Sequence, residues 1–125
     1  MTSSRTITTP VNRKTADVFD AILDWPKKMM PDATKDDDGW WSFTTPSGHV
    51  KLKLNPNRQL GILDHQFVEE SIKWDVIMRV VRSGDYAEII ITLFKPKQSS
   101  DQLFNQRMKE IEKLMENMKL IIEQT

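Results

Sequence analysis

The residues of this chain that could do chemistry are two histidines, three consecutive aspartates and a few clustered charges, and His65 is foremost among them. It stands in Leu63-Asp64-His65-Gln66-Phe67, where strand alternation puts Leu63, His65 and Phe67 on one face and Asp64 and Gln66 on the other. An imidazole on an apolar face can hydrogen-bond a ligand oxygen or act as an acid or base, its pKa lowered by desolvation. The plain alternative is a ring satisfied by a backbone carbonyl or a water. Asp64 points away from it, so the sequence offers no His–Asp pair of the kind a nucleophilic triad requires.

The other candidates carry less. His49 falls on the face opposite His65, so the two cannot chelate one ion, and without cysteine there is no thiolate site, disulfide or thiol nucleophile. No metal and no cofactor are expected. Asp36-Asp37-Asp38 lacks the alternating ligands and distant Glu of a calcium loop and reads as a solvated loop. Arg79, Asp64 and Glu88 share an outer face as an ion-pair cluster, with a docking surface as the alternative. Trp40, outward beside inward Trp41, either anchors a partner or is covered by the Asp-rich loop. The four glycines form no phosphate-binding motif, and there is no Gly-x-Ser-x-Gly elbow.

The elements that must position these residues belong to a chain of 125 residues with 18 basic and 18 acidic side chains, a length that suits one domain over 1–125. Zero net charge argues against nucleic acid and anionic membrane surfaces, and is compatible with a homo-oligomer. The opening Met1-Thr2-Ser3-Ser4-Arg5 leads into no apolar stretch, and the longest aliphatic run is Ile89-Ile90-Ile91. The expectation is a cytoplasmic protein with no membrane insertion.

Thr6 to Thr9 reads as a first strand ending at Pro10. Asn12 would cap a helix carrying Val18, Phe19, Ile22 and Leu23, and Pro26 to Pro31 brackets a second short helical turn. Thr34 to Gly39 is expected as a polar loop. From Trp40 to Phe94 the period is two, cut by turn residues at Pro46-Ser47-Gly48, Asn55-Pro56-Asn57, Glu69-Glu70-Ser71 and Ser83-Gly84-Asp85, which gives five antiparallel strands. Ser100 or Asp101 then caps a long helix on which Phe104, Met108, Ile111, Met115, Met118 and Ile122 form a stripe, widened by Leu103, Leu114 and Ile121.

Three turn assignments fix the faces. A Ser47-Gly48 turn pairs Trp41 with Leu54, Phe43 with Leu52 and Thr45 with Val50. A Glu70-Ser71 turn pairs Leu63 with Met78, His65 with Val76 and Phe67 with Trp74. A Gly84-Asp85 turn sets Val76, Met78 and Val80 against Leu93, Ile91 and Ile89. All three gather the apolar residues on one face, and the C-terminal helix is the natural cover. The stripe of thioethers beneath it is either simple core or the wall of a partly hollow interior.

The order of strand, short helices, antiparallel strands and one long terminal helix resembles the START-related superfamily, also called SRPBCC or helix-grip proteins. Ile7-Thr8-Thr9-Pro10-Val11 with Ala16-Asp17-Val18-Phe19-Asp20 is similar to that family's opening. Gly61-Ile62-Leu63-Asp64-His65, Met78-Arg79-Val80-Val81, Glu88-Ile89-Ile90-Ile91-Thr92-Leu93-Phe94 and the ending Met118-Lys119-Leu120-Ile121-Ile122-Glu123 resemble its small polyketide cyclase/dehydrase-like branch. The resemblance implies an α+β helix-grip fold: one curved antiparallel sheet of about six strands around a long C-terminal helix, with one or two short helices after the first strand. It implies lipid-like or polyketide-like ligands, with catalysis or protein interaction as alternatives, since fold does not settle function. Residue by residue, the expected ligand wall is Trp41, Phe43, Leu52, His65, Phe67 and Trp74, continued by Met78, Ile89, Ile91, Phe104, Met108 and Met115. His65 is the candidate acid–base in the enzyme alternative, and an interaction protein with a closed core is the third reading.

Overall fold

The computed structural model describes residues 3–125; Met1 and Thr2, where the reading of the opening stretch begins, lie outside the described residues. Strand β1 (Ser4–Val11) is followed by helices α1 (Thr15–Leu23) and α2 (Trp25–Met29), then by strands β2 (Thr34–Lys35), β3 (Trp40–Thr45) and β4 (Gly48–Asn57). Strands β5 (Ile62–Glu69), β6 (Ile72–Ser83) and β7 (Tyr86–Phe94) complete the meander before the long helix α3 (Asp101–Glu123). The seven strands form one antiparallel sheet in the order β1-β7-β6-β5-β4-β3-β2.

The seventh strand is β2, which lies in the stretch expected as a polar loop. Thr34 pairs Ser42 and Lys35 pairs Trp41 because the Asp36 carboxylate organises the intervening turn, taking the amide N–H groups of Asp38 at 2.9 Å and Trp40 at 3.0 Å. β1 runs through Pro10 rather than ending there, opposite Glu88. A proline, having no amide proton to give, is tolerated on such an edge strand. Helix α1 starts after Lys14, not Asn12, whose amide instead donates to Glu123 Oε2 at 2.8 Å. Ser100 does cap α3, its hydroxyl accepting from the Leu103 amide at 3.1 Å.

The β6–β7 register is as the sequence implies, with Val76, Met78 and Val80 opposite Leu93, Ile91 and Ile89. His65 faces Val76 and Phe67 faces Trp74 across β5–β6, but the ladder lapses at Leu63-Asp64. There the Asp64 carboxylate, not a backbone carbonyl, takes the Met78 amide at 3.0 Å. The β3–β4 register differs from expectation by two residues: Trp41 faces Leu52, Phe43 faces Val50, and the turn is Pro46-Ser47. A shift of two keeps every side chain on its face. Similarly β4 continues through Asn55-Pro56-Asn57, and the turn into β5 falls at Arg58 to Gly61.

The inner face of β5, β6 and β7 packs Leu63, Trp74, Val76, Met78, Val80, Ile89, Ile91 and Leu93 against Phe104, Met108, Met115, Met118 and Ile122 of α3, with Val18, Phe19 and Ile22 of α1 closing one side. At 23 residues, α3 is about 35 Å long, enough to cross the sheet. The outer face is less uniformly polar than alternation suggested, since Ile77, Val81 and Phe94 are exposed on it. Among the described residues no helix is long and apolar enough to cross a membrane.

Candidate functional site

Between α2, the inner face of β3 to β5 and one side of α3 lies a cavity of about 470 Å³. That size falls in the range of small-molecule sites, roughly 300–1,000 Å³. Its floor is buried, with Met78, Ile91 and Met115 closing it, while Pro46, Ser47 and Glu110 at its rim are exposed. α3 serves two purposes through neighbouring stripes. Phe104, Met108 and Ile122 belong to the closed core, whereas Arg107, Glu110, Ile111 and Leu114 turn toward β3–β5 and wall the cavity, and Met115 and Met118 do both.

Of the residues expected on a ligand wall, Phe43, Leu52, His65, Phe67, Met78, Ile91 and Met115 line this cavity. Trp74 does not. It is fully buried between Phe67, at 5.6 Å between ring centroids, and Phe104, at 6.5 Å, both nearly parallel to it. Phe104, Met108 and Ile89 are likewise closed into the core beside it. Trp41 does not line the cavity either; its ring lies 5.7 Å from the Lys35 ammonium. Trp25, Met30 and Leu54 are lining residues outside the expected wall: the first two come from the short helical segment around α2, and Leu54 from the inner face of β4.

His65 lines the cavity, held in place by its Nδ1 at 3.0 Å from the Leu63 carbonyl. A carbonyl only accepts, so Nδ1 carries the proton and Nε2 keeps the lone pair. Burial pushes the imidazole below its ordinary value, against the opposing pull of the Leu63 carbonyl and the Asp64 charge. Asp64 itself is engaged elsewhere, with the Met78 amide and in an ion pair with Arg79.

The charged part of the wall was not legible from alternation. Arg107, only 8% exposed, donates from Nε to Glu69 Oε2 at 2.7 Å and from Nη2 to Glu69 Oε1 at 2.5 Å, and its Nη1 reaches Glu110 Oε1 at 2.9 Å. Glu69 ends β5 and had been assigned to a turn, while neither Arg107 nor Glu110 was among the residues expected on the wall. The one available sign was helical spacing, since Arg107 stands four residues from both Leu103 and Ile111 of the apolar stripe.

On the outer face Glu88 joins no ion pair with Arg79 or Asp64 among the described residues. Trp40 is half-buried under the Lys53 ammonium, 5.8 Å from its ring, and its amide is held by Asp36. No group of three or more His, Cys, Asp or Glu side chains among the described residues is placed to hold a metal ion.

No family model matches the chain, and no curated protein matches it in sequence. Solved structures do match its fold. A START superfamily protein from Mycobacterium smegmatis superposes with a TM-score of 0.71 at 10% identity, covering 97% of each chain. The Aha1 dimer from Colwellia psychrerythraea gives 0.74 at 10% identity over 98% of this chain and 97% of its own. A truncated norcoclaurine synthase from Thalictrum flavum gives 0.57 at 15% identity, over 74% and 76%. One architecture thus serves a START protein, a dimer and a synthase, so it fixes neither ligand nor reaction. With its seven-stranded antiparallel sheet gripping one long C-terminal helix, the chain has the START-related, SRPBCC fold.

Proposed function

We propose that the protein binds a small apolar or aromatic molecule in the cavity between β3–β5, α2 and α3. The observation that carries this reading is the cavity itself: about 470 Å³ walled by apolar side chains from both layers of the fold, with a few polar groups gathered on it. Withdrawing apolar ligand surface from water gains about 2.5 kcal/mol per 100 Å². Roughly 400 Å² would gain about 10 kcal/mol, which exceeds an association cost of about 4 kcal/mol by about 6 kcal/mol, enough for a dissociation constant of tens of micromolar. Phe43, Leu52, Phe67, Met78, Ile91 and Met115 supply the walls, and flexible thioethers adapt to the shape of the guest.

Titration with Nile red, a neutral apolar dye whose emission rises on leaving water, tests the reading. Wild-type chain is expected to bind it saturably, and Leu52→Trp, which narrows the cavity, to bind it more weakly while remaining folded. Equal binding by both proteins would overturn it.

A second reading is acid–base catalysis by His65 on such a ligand, favoured by His65 lining the cavity with only its Nδ1 given to the Leu63 carbonyl. It expects His65→Ala to abolish turnover while ligand affinity is nearly kept; a loss of affinity with no turnover by either protein would reject it.

A further inference from the structure

The cavity is electrically lopsided. Met78, Ile91 and Met115 close its floor without a charge, and burial lowers the His65 pKa, which leaves that ring neutral at pH 7. The charged lining residues are Glu69, Arg107 and Glu110, gathered where α3 passes the end of β5. Among the described residues no lysine lines the cavity, so two carboxylates face a single guanidinium. Arg107 gives Nε and Nη2 to the two oxygens of Glu69, and Nη1 to Glu110 Oε1. Glu110 Oε2 accepts no hydrogen bond among the described residues. The unbalanced negative charge thus rests on Glu110, whose side chain is 49% exposed at the rim.

Its place decides what it does. A charged headgroup pushed down to the floor would lose its hydration without a partner. At the rim a headgroup keeps most of its water while its apolar stem is buried, as a snorkelling lysine does. There it is sorted by the sign of the nearest uncompensated charge. A cation meets an attracting carboxylate; an anion meets a repelling one, beside a guanidinium already engaged on three nitrogens. Neutralised by Glu69, Arg107 orients Glu110 without cancelling it. Resting on the cavity being a ligand site, we propose that its ligand is a cationic amphiphile, with an apolar body on the methionine-lined floor and a protonated amine at the mouth, where Glu110 is its counter-charge.

Competition of decylamine and decanoate against bound Nile red tests this, at neutral pH and below the micellar concentration of either, because the two ions carry similar tails and opposite heads. In the wild type decylamine is expected to displace the dye at a concentration about tenfold below decanoate, since attraction of one head and repulsion of the other add. Glu110→Gln should bring that ratio to about one, and Glu110→Lys should invert it. Raising salt to about 1 M should shrink the wild-type ratio. A wild-type ratio of one or less overturns the proposal, and so does a failure of decylamine to displace the dye. A ratio that Glu110→Gln leaves unchanged overturns it as well, because the preference would then have another source. All of these outcomes leave the cavity reading standing, whereas no uptake of Nile red by the wild type would sink both.

Discussion

Arg107 and Glu69 join α3 to the end of β5 through two parallel hydrogen bonds, at 2.7 and 2.5 Å, with both side chains largely buried. This fork fixes the height at which the helix crosses the sheet beside the cavity. The guanidinium is stabilised in its charged form, chiefly by the bonds to Glu69.

Removing one partner strands the other. Arg107→Met is expected to lower unfolding free energy by about 3 kcal/mol, because Glu69 keeps its burial without its counter-charge. Arg107→Met with Glu69→Leu should recover most of that loss. Urea denaturation of the single and double variants measures it, and a double variant no more stable than the single would refute the argument.

His65 gives the fold a pH dependence of definite sign. Its folded pKa lies below the ordinary value of 6.5, so beneath that pH the unfolded chain takes up a proton that the folded chain refuses. The contribution is fully present above pH 6.5 and is lost as pH falls from 6.5 toward the folded value, with a slope of at most about 1.4 kcal/mol per pH unit. Unfolding measured at steps from neutral pH down to about pH 5 should show this slope in wild type and a flatter one in His65→Phe. Identical slopes would place the proton uptake elsewhere.

The long-period features were legible in the sequence and the short-range ones were not. Alternation located the faces of β5, β6 and β7 because a one-residue slip would invert them, whereas the two-residue shift at Trp41–Leu52 left no trace in the pattern. The strand at Thr34–Lys35 was hidden because the Asp36 carboxylate, not strand propensity, makes its turn. His65 was conspicuous as a polar residue in an apolar row. Arg107 and Glu110 were not, since on a helix an inward charge looks like its solvated neighbours until the partner, Glu69, is known.

Gly61 shows the same limit on a smaller scale. It adopts φ +67, its carbonyl accepts the Val80 amide at 2.9 Å, and a Cβ there would stand 2.3 Å from the Val80 carbonyl oxygen. Gly61→Ala is expected to cost about 2–4 kcal/mol, from left-handed strain together with the clash. Thermal unfolding checks it; a change below about 1 kcal/mol would mean that the β4–β5 turn relaxes freely.

The most direct test of an occupied cavity is methionine-methyl NMR during titration with Nile red. Met78, Met115 and Met118 line the cavity, whereas Met108 is closed into the core away from it. The account predicts saturable shifts at the first three with one common affinity, and a still signal from Met108. Shifts at Met108 alone, or none at any of the four while the dye binds, would contradict it.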